Sequence, residues 1–194
     1  MPNYLPDLLP ALKNFRLNGL EAGADMLYPA YDGQSLANLP ASIAHWLGAP
    51  PLGSAPLQEV YLKAFGSGPV KHVILLLVDG LGLNMFQRFM QTDPWARWLP
   101  DAALLPLTSV VPSTTATALT TLWTGASPAE HGVLGYEMWL REYSMIANLI
   151  LHSPTAFYGD VGGLKRGGFD PLTFLPVPTL APHFAAHGIQ TFSH

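Results

Sequence analysis

Asp79 follows six consecutive aliphatic residues, Val73-Ile74-Leu75-Leu76-Leu77-Val78, and precedes Gly80. An uninterrupted aliphatic run reads as a strand buried on both faces, the pattern of a parallel sheet. An acid at the carboxyl end of such a strand points into the crevice where open α/β sheets hold ligands. Further on, Ser113, Thr114 and Thr115 follow Val111-Pro112 and open a helix-like stretch that closes on Thr124-Gly125. Backbone N–H groups at a helix start favour an anion, so a phosphoryl oxygen could lie beside these hydroxyls. An alcohol is a poor nucleophile at neutral pH unless a base or a metal activates it. No histidine lies nearby in sequence, so the natural chemistry is a carboxylate and a hydroxyl sharing a metal ion. The plainer roles stay open: Ser and Thr are preferred N-caps in any protein, and Asp-Gly is a common turn.

The elements that must position these groups are legible around them. After the Val73–Val78 strand, Gly80-Leu81-Gly82 makes a turn and Leu83 to Met90 reads as a helix that stops at Thr92-Asp93-Pro94. Leu104 to Val111 reads as a second strand, ended by Pro112, which cannot donate to a ladder. Thr115 to Trp123 fits a helix, with Gly125 as its C-terminal cap. Ser127 to Gly135 reads as a loop, and Tyr143 to Leu151 is apolar again. Tyr158 to Pro171 reads as an exposed Gly-rich loop, Thr179 to Ala186 as a helix, and Ile189 to Phe192 as the start of a strand. Residues 1–70 are punctuated by Pro and Gly and are expected to be a lead-in packing on the core; Pro40 to Leu47 is their clearest helix. Residues 71–194 then form the first part of an α/β domain.

Composition bounds the function. Hydrophobic residues make up 49% of the 194 residues and charged residues only 11%, which fits a surface covered in part by further protein. The net charge is −4 and no basic run exists, which argues against binding a nucleic acid backbone. A small anionic substrate remains compatible, because metal ions can supply positive charge locally. With no cysteine, disulfides, thiolate zinc sites and cysteine nucleophiles are excluded, and any metal must be held by His, Asp, Glu or hydroxyl oxygen. Met1 to Gly19 lacks a signal-peptide pattern, and no stretch approaches the roughly 20 apolar residues of a membrane span. The expectation is a cytoplasmic protein without membrane contact; the sequence carries no signal for oligomeric state.

Val78-Asp79-Gly80, Val111-Pro112-Ser113-Thr114-Thr115, Thr124-Gly125 and Pro128-Ala129-Glu130-His131-Gly132 together resemble the alkaline phosphatase superfamily. The likeness is closest to its type I phosphodiesterase/nucleotide pyrophosphatase branch. The motifs occur in the family's order and at family-like spacing over residues 73–135. The resemblance implies an α/β fold with a mostly parallel sheet and helices on both faces. It implies two divalent metal ions, zinc in character, and a small phosphorylated substrate. Asp79 resembles the first metal-binding aspartate, and Thr115 resembles the nucleophilic threonine that also ligates that metal. The register, counted back from Thr124-Gly125, leaves Thr114 as the main competitor and Ser113 as a distant third. His131 resembles part of a loop that shapes the site and is not assigned as a ligand. The family's usual asparagine is replaced by Tyr136, a candidate substrate contact that puts the diester preference in question. The family's remaining Asp and His ligands are expected beyond His194, so the fold reads as incomplete and this chain alone as inactive.

The implied reaction is metal-dependent hydrolysis of a phosphate ester or phosphodiester through a phosphothreonine. Within the same superfamily the alternative is a cofactor-independent phosphosugar mutase; outside it, a non-catalytic fragment. Two further patterns read as structural. His183 and His187 share a helix face at i, i+4 spacing but enclose no acid, and Asp160 and Asp170 read as turn residues. Trp95, Trp98, Trp123 and Trp139 are expected in the core or an interface, with Trp139 a candidate flank to a substrate beside Tyr136.

Overall fold

Leu83–Phe89 and Thr115–Thr124 form the helices expected after the two candidate strands. The computed structural model describes residues 2–20, 23, 25–66, 68–92, 102–157 and 159–193. In chain order its helices are α1 (Leu5–Asn14), α2 (Leu39–Trp46), α3 (Glu59–Ala64), α4 (Leu83–Phe89), α5 (Thr115–Thr124), α6 (Pro128–His131) and α7 (Leu180–Ala186). Its strands are β1 (Glu137–Leu140), β2 (Met145–Asn148) and β3 (Ser153–Pro154).

Polar side chains fix the helix α2 region from within. Ser35 and Asn38 form a reciprocal capping box on a short 3₁₀ turn, Leu36–Asn38, that leads into α2. Ser42, fully buried, donates to Asn38 O and accepts from Leu57 N, both at 2.8 Å. Three apolar clusters follow. Trp46, Leu57 and Tyr61 pack with Val73 and Leu105. Ala44 and Ala49 meet Leu180 and Phe184 of α7. Leu140 and Ala147 of the sheet meet Leu164 and Phe169. Helix α5 lies centrally, against α2, α6, α7 and the Leu36–Asn38 turn.

The expected parallel sheet is not formed among the described residues. The observed sheet is antiparallel, in the order β1-β2-β3, with Glu137 opposite Asn148 and Trp139 opposite Ile146. Parallel pairing is confined to isolated bridges, Asn3 with Leu104 and Ser35 with Thr108. There Leu36 N donates to Thr108 O and Thr108 N to Gln34 O, both at 2.9 Å. The Val73–Val78 run belongs to no strand, and among the described residues its backbone makes a single bond, Leu81 N to Val78 O at 3.4 Å. Ile74 and Leu76 are 93% and 83% exposed. The physical reason is that an aliphatic run records what side chains demand, while a ladder needs partner backbones on both flanks. None is hydrogen-bonded to this run among the described residues.

Smaller expectations are also corrected. The Ser127–Gly135 loop contains α6. The Gly-rich stretch is not wholly exposed, because Leu164 and Phe169 are buried and Phe169 stacks near His152, Tyr143 and Phe174. Ile189–Phe192 forms no strand, and Phe192 is exposed. Trp123 and Trp139 are exposed, which excludes the core and leaves the interface half of that expectation standing. Trp95, Trp98 and the Asp93-Pro94 helix stop lie outside the described residues. No described helix is long and apolar enough to cross a membrane.

Candidate functional site

Thr115 opens α5, and its hydroxyl donates to the Asp79 carboxylate, Oγ1 to Oδ2 at 3.2 Å. The two residues are separated by 36 positions in sequence. Asp79 is exposed and Thr115 half-buried, so neither is sealed in a dry layer. The neighbouring hydroxyl has a different duty. Thr114 is the N-cap of α5: its Oγ1 accepts from Thr117 N at 3.5 Å and lies 2.9 Å from Thr117 Oγ1. Ser113 is exposed and makes no hydrogen bond with a described residue. Of the three candidate hydroxyls, Thr115 alone meets Asp79.

Helix α5 is held so that this first turn keeps its direction. At its far end Gly125 is left-handed, φ 72°, and its N–H bonds Thr121 O. Gly125 O accepts from Ser54 N at 2.7 Å. A Cβ on Gly125 would lie 2.5 Å from Leu52 O, and one on Gly53 2.2 Å from Gly125 O. The Thr124-Gly125 motif therefore marks a close backbone crossing that only glycine fits. Along the buried face of α5, Thr121 Oγ1 is 3.0 Å from His131 Nε2. Val133 N donates to His131 Nδ1 at 3.1 Å, so Nδ1 carries no proton and Nε2–H donates to Thr121. Burial holds the His131 pKa below its ordinary value, against a smaller opposing pull from Glu130. His131 is thus a neutral strut between α5 and α6, as its loop position suggests. Glu130 closes the α6 cap on Ser127 N and Oγ, both at 2.7 Å; these bonds hold its carboxyl below the usual range.

Tyr136 lies just before β1 with an exposed side chain; its carbonyl accepts from Leu149 N at 2.9 Å. Its phenol makes no hydrogen bond with a described residue. His183 Nε2 donates to Pro50 O at 2.8 Å, and His187 Nδ1 donates to His183 O at 2.9 Å. The two rings therefore use unlike nitrogens on backbone and do not present matched donors. Asp160 pairs with Arg166, and Asp170 accepts from Leu172 N and Thr173 Oγ1, so both acids serve turns.

The donor chemistry of the pair suits a divalent cation in part. Two oxygens converge, whereas a catalytic zinc takes three protein ligands plus a water. Among the described residues no group of three or more His, Asp or Glu side chains is clustered to complete the set. The pair lies on open surface. A cavity of ≈ 600 Å³ begins at Val111 and another of ≈ 310 Å³ lies against α5; neither is lined by Asp79, Thr115 or Tyr136.

No curated protein and no solved structure matches the chain. Residues 73–159, which carry Asp79, Thr115 and the α6 loop, match the family model for type I phosphodiesterase / nucleotide pyrophosphatase, a family of the alkaline phosphatase superfamily.

Proposed function

We propose that this chain carries the nucleophile of a metal-dependent hydrolase of phosphate esters or phosphodiesters. The observation behind this reading is the division of labour at the start of α5: Thr114 caps the helix while Thr115 turns to Asp79 at 3.2 Å. Thr115 Oγ1 gives its proton to solvent and attacks phosphorus. The new oxygen–phosphorus bond forms as the bond to the ester oxygen breaks in line, and the alcohol departs with a solvent proton. Water then attacks the phosphothreonine, releasing phosphate or a monoester and restoring the hydroxyl. The first turn of α5 would turn the positive end of the helix toward a phosphoryl group held at Thr115. Asp79 and Thr115 would hold the first of two divalent ions, zinc by resemblance. When bound, the ions would acidify the hydroxyl and neutralise phosphoryl charge. Tyr136 is proposed as a phenolic donor to substrate. The substrate is a small phosphorylated molecule rather than a nucleic acid, and the proposed location is the cytoplasm.

Two oxygen donors bind a cation weakly, so turnover by the described residues alone is expected to be slow. The decisive experiment traps the covalent step. The protein is incubated with zinc and a nitrophenyl phosphodiester, quenched in acid, digested and weighed by mass spectrometry. The expected result is a peptide carrying the substrate's phosphoryl group, still esterified on its other side, on Thr115, absent from Asp79→Asn. Modification on Thr114 or Ser113 would overturn the assignment, and so would phosphate on Thr115 that is indifferent to zinc and to Asp79.

A further inference from the structure

The ≈ 600 Å³ cavity is built by a segment in which the sequence shows no chemistry. One wall is Leu17, Leu20, Met26 and Leu27; the other is Pro128 and Ala129 of α6. Its size lies within the range of small-molecule sites, roughly 300–1,000 Å³. Leu20, Met26 and Leu27 leave about half their surface open to solvent, a cluster of apolar area that single scattered side chains would not make. The wall is fastened to the segment that leads to Thr115. Ala30 N donates to Thr108 Oγ1 at 2.9 Å, and Val111 N donates to the Tyr31 hydroxyl at 3.2 Å. Val111 also lines the cavity, and four residues of chain span at most about 14 Å. A molecule whose phosphorus lies at Thr115 therefore has this cavity within reach.

The charges decide what can enter. Among the described lining residues Glu130 is the one acid, and none of them is Lys, Arg or His. The Glu130 carboxylate is already satisfied by Ser127 and stays ionised at neutral pH. A phosphate would be repelled and unpaired there, whereas an uncharged apolar group needs no partner. We infer that this cavity takes the uncharged apolar part of the substrate, an alkyl or aryl alcohol moiety, while the phosphoryl group stays outside at Thr115. The inference rests on the reading of Thr115 as nucleophile for the second half of that statement alone.

The test is binding, which needs no turnover. N-phenyl-1-naphthylamine, an uncharged fluorescent apolar probe, is titrated into the full chain and displaced by a series of straight-chain alcohols. Each added methylene should tighten displacement about fourfold until the cavity is filled. Ala129 is exposed on the short α6 and faces the cavity, so Ala129→Phe fills the space without entering the core. That variant should weaken the probe at least about tenfold, while Thr115→Ala leaves it unchanged. A second filling variant, Met26→Trp, should act alike, and circular dichroism checks that both remain folded. Probe affinity indifferent to both filling variants, or alcohols that compete without dependence on length, overturns the inference. If that happens while Thr115 is still phosphorylated, the nucleophile stands and the cavity assignment falls. If the probe binds as expected but Thr115 is never phosphorylated, the cavity assignment stands and the nucleophile falls.

Discussion

Gly125→Ala should be among the more damaging single substitutions in this chain, although it adds one methyl. Two costs combine. The residue sits at φ 72°, where an L side chain costs about 1–2 kcal/mol. The new Cβ would also lie 2.5 Å from the Leu52 carbonyl oxygen and 3.3 Å from its carbon, which are backbone atoms that cannot rotate away. Overpacking of that kind costs about 1–3 kcal/mol, for a total of about 2–5 kcal/mol. Gly48 supplies the control: it has φ 75° and nothing within 4 Å of an added Cβ, so Gly48→Ala should cost only the conformational part. Urea unfolding followed by tryptophan fluorescence separates the two. With a slope of roughly 2 kcal/mol/M, Gly125→Ala should lower the midpoint by about 1–2.5 M and Gly48→Ala by no more than about 1 M. Gly53→Ala strikes the same crossing from the other side, with its Cβ 2.2 Å from Gly125 O. The double variant should therefore lose less than the sum of its singles, because the crossing opens once. Equal midpoints for Gly125→Ala and Gly48→Ala would refute the close approach and with it the account of how α5 is held.

Thr114→Ala should cost about 1 kcal/mol of stability through the lost cap while leaving phosphorylation of Thr115 in place; Thr115→Ala should do the opposite, abolishing the phosphopeptide with an unchanged denaturation midpoint. His131 is held neutral in the fold, with a pKa below the unfolded value near 6.5. The unfolded chain thus binds the extra proton more readily, so this contribution to stability is complete above about pH 6.5 and declines as pH falls below it. Urea midpoints between about pH 7.5 and 5 should show this decline, and His131→Gln should flatten it; an unchanged slope would remove His131 as the titrating group. Ile74→Asp with Leu76→Asp should shift stability by no more than about 0.5 kcal/mol, since both side chains are exposed, and should raise solubility. A large loss, read from the same urea curves, would mean that the run is buried in solution.

Local signals carried the parts of the site that are themselves local. Helix α5 was legible because Thr114 caps it, Thr115 opens it and Gly125 closes it, each through a constraint acting over a few residues. The contact of Asp79 with Thr115 was legible from the motifs that carry the two residues and not from a strand, since the run before Asp79 pairs with no described backbone. The Val73–Val78 run misled for the reason that made it conspicuous. Its composition specifies two buried faces, yet no residue within it names the backbone that must lie alongside. The cavity went unread because its wall draws on Leu17, Leu20 and residues 26–31, which carry no helical or strand periodicity, and the space arises only where they meet α6. Phe169 was hidden by its glycine neighbours, which signal a loop and say nothing of the ring that the loop tucks inward.

The adjacent hydroxyls at 114 and 115 place the chemistry under a phase constraint. Successive helical residues point about 100° apart, so removing one residue from the 111–114 lead would swing Ala116 toward Asp79 in place of Thr115. The helix could survive that slip with a new threonine as its cap, and the molecule would keep its shape. What it would lose is the angular setting that separates the oxygen facing Asp79 from the one that caps the helix.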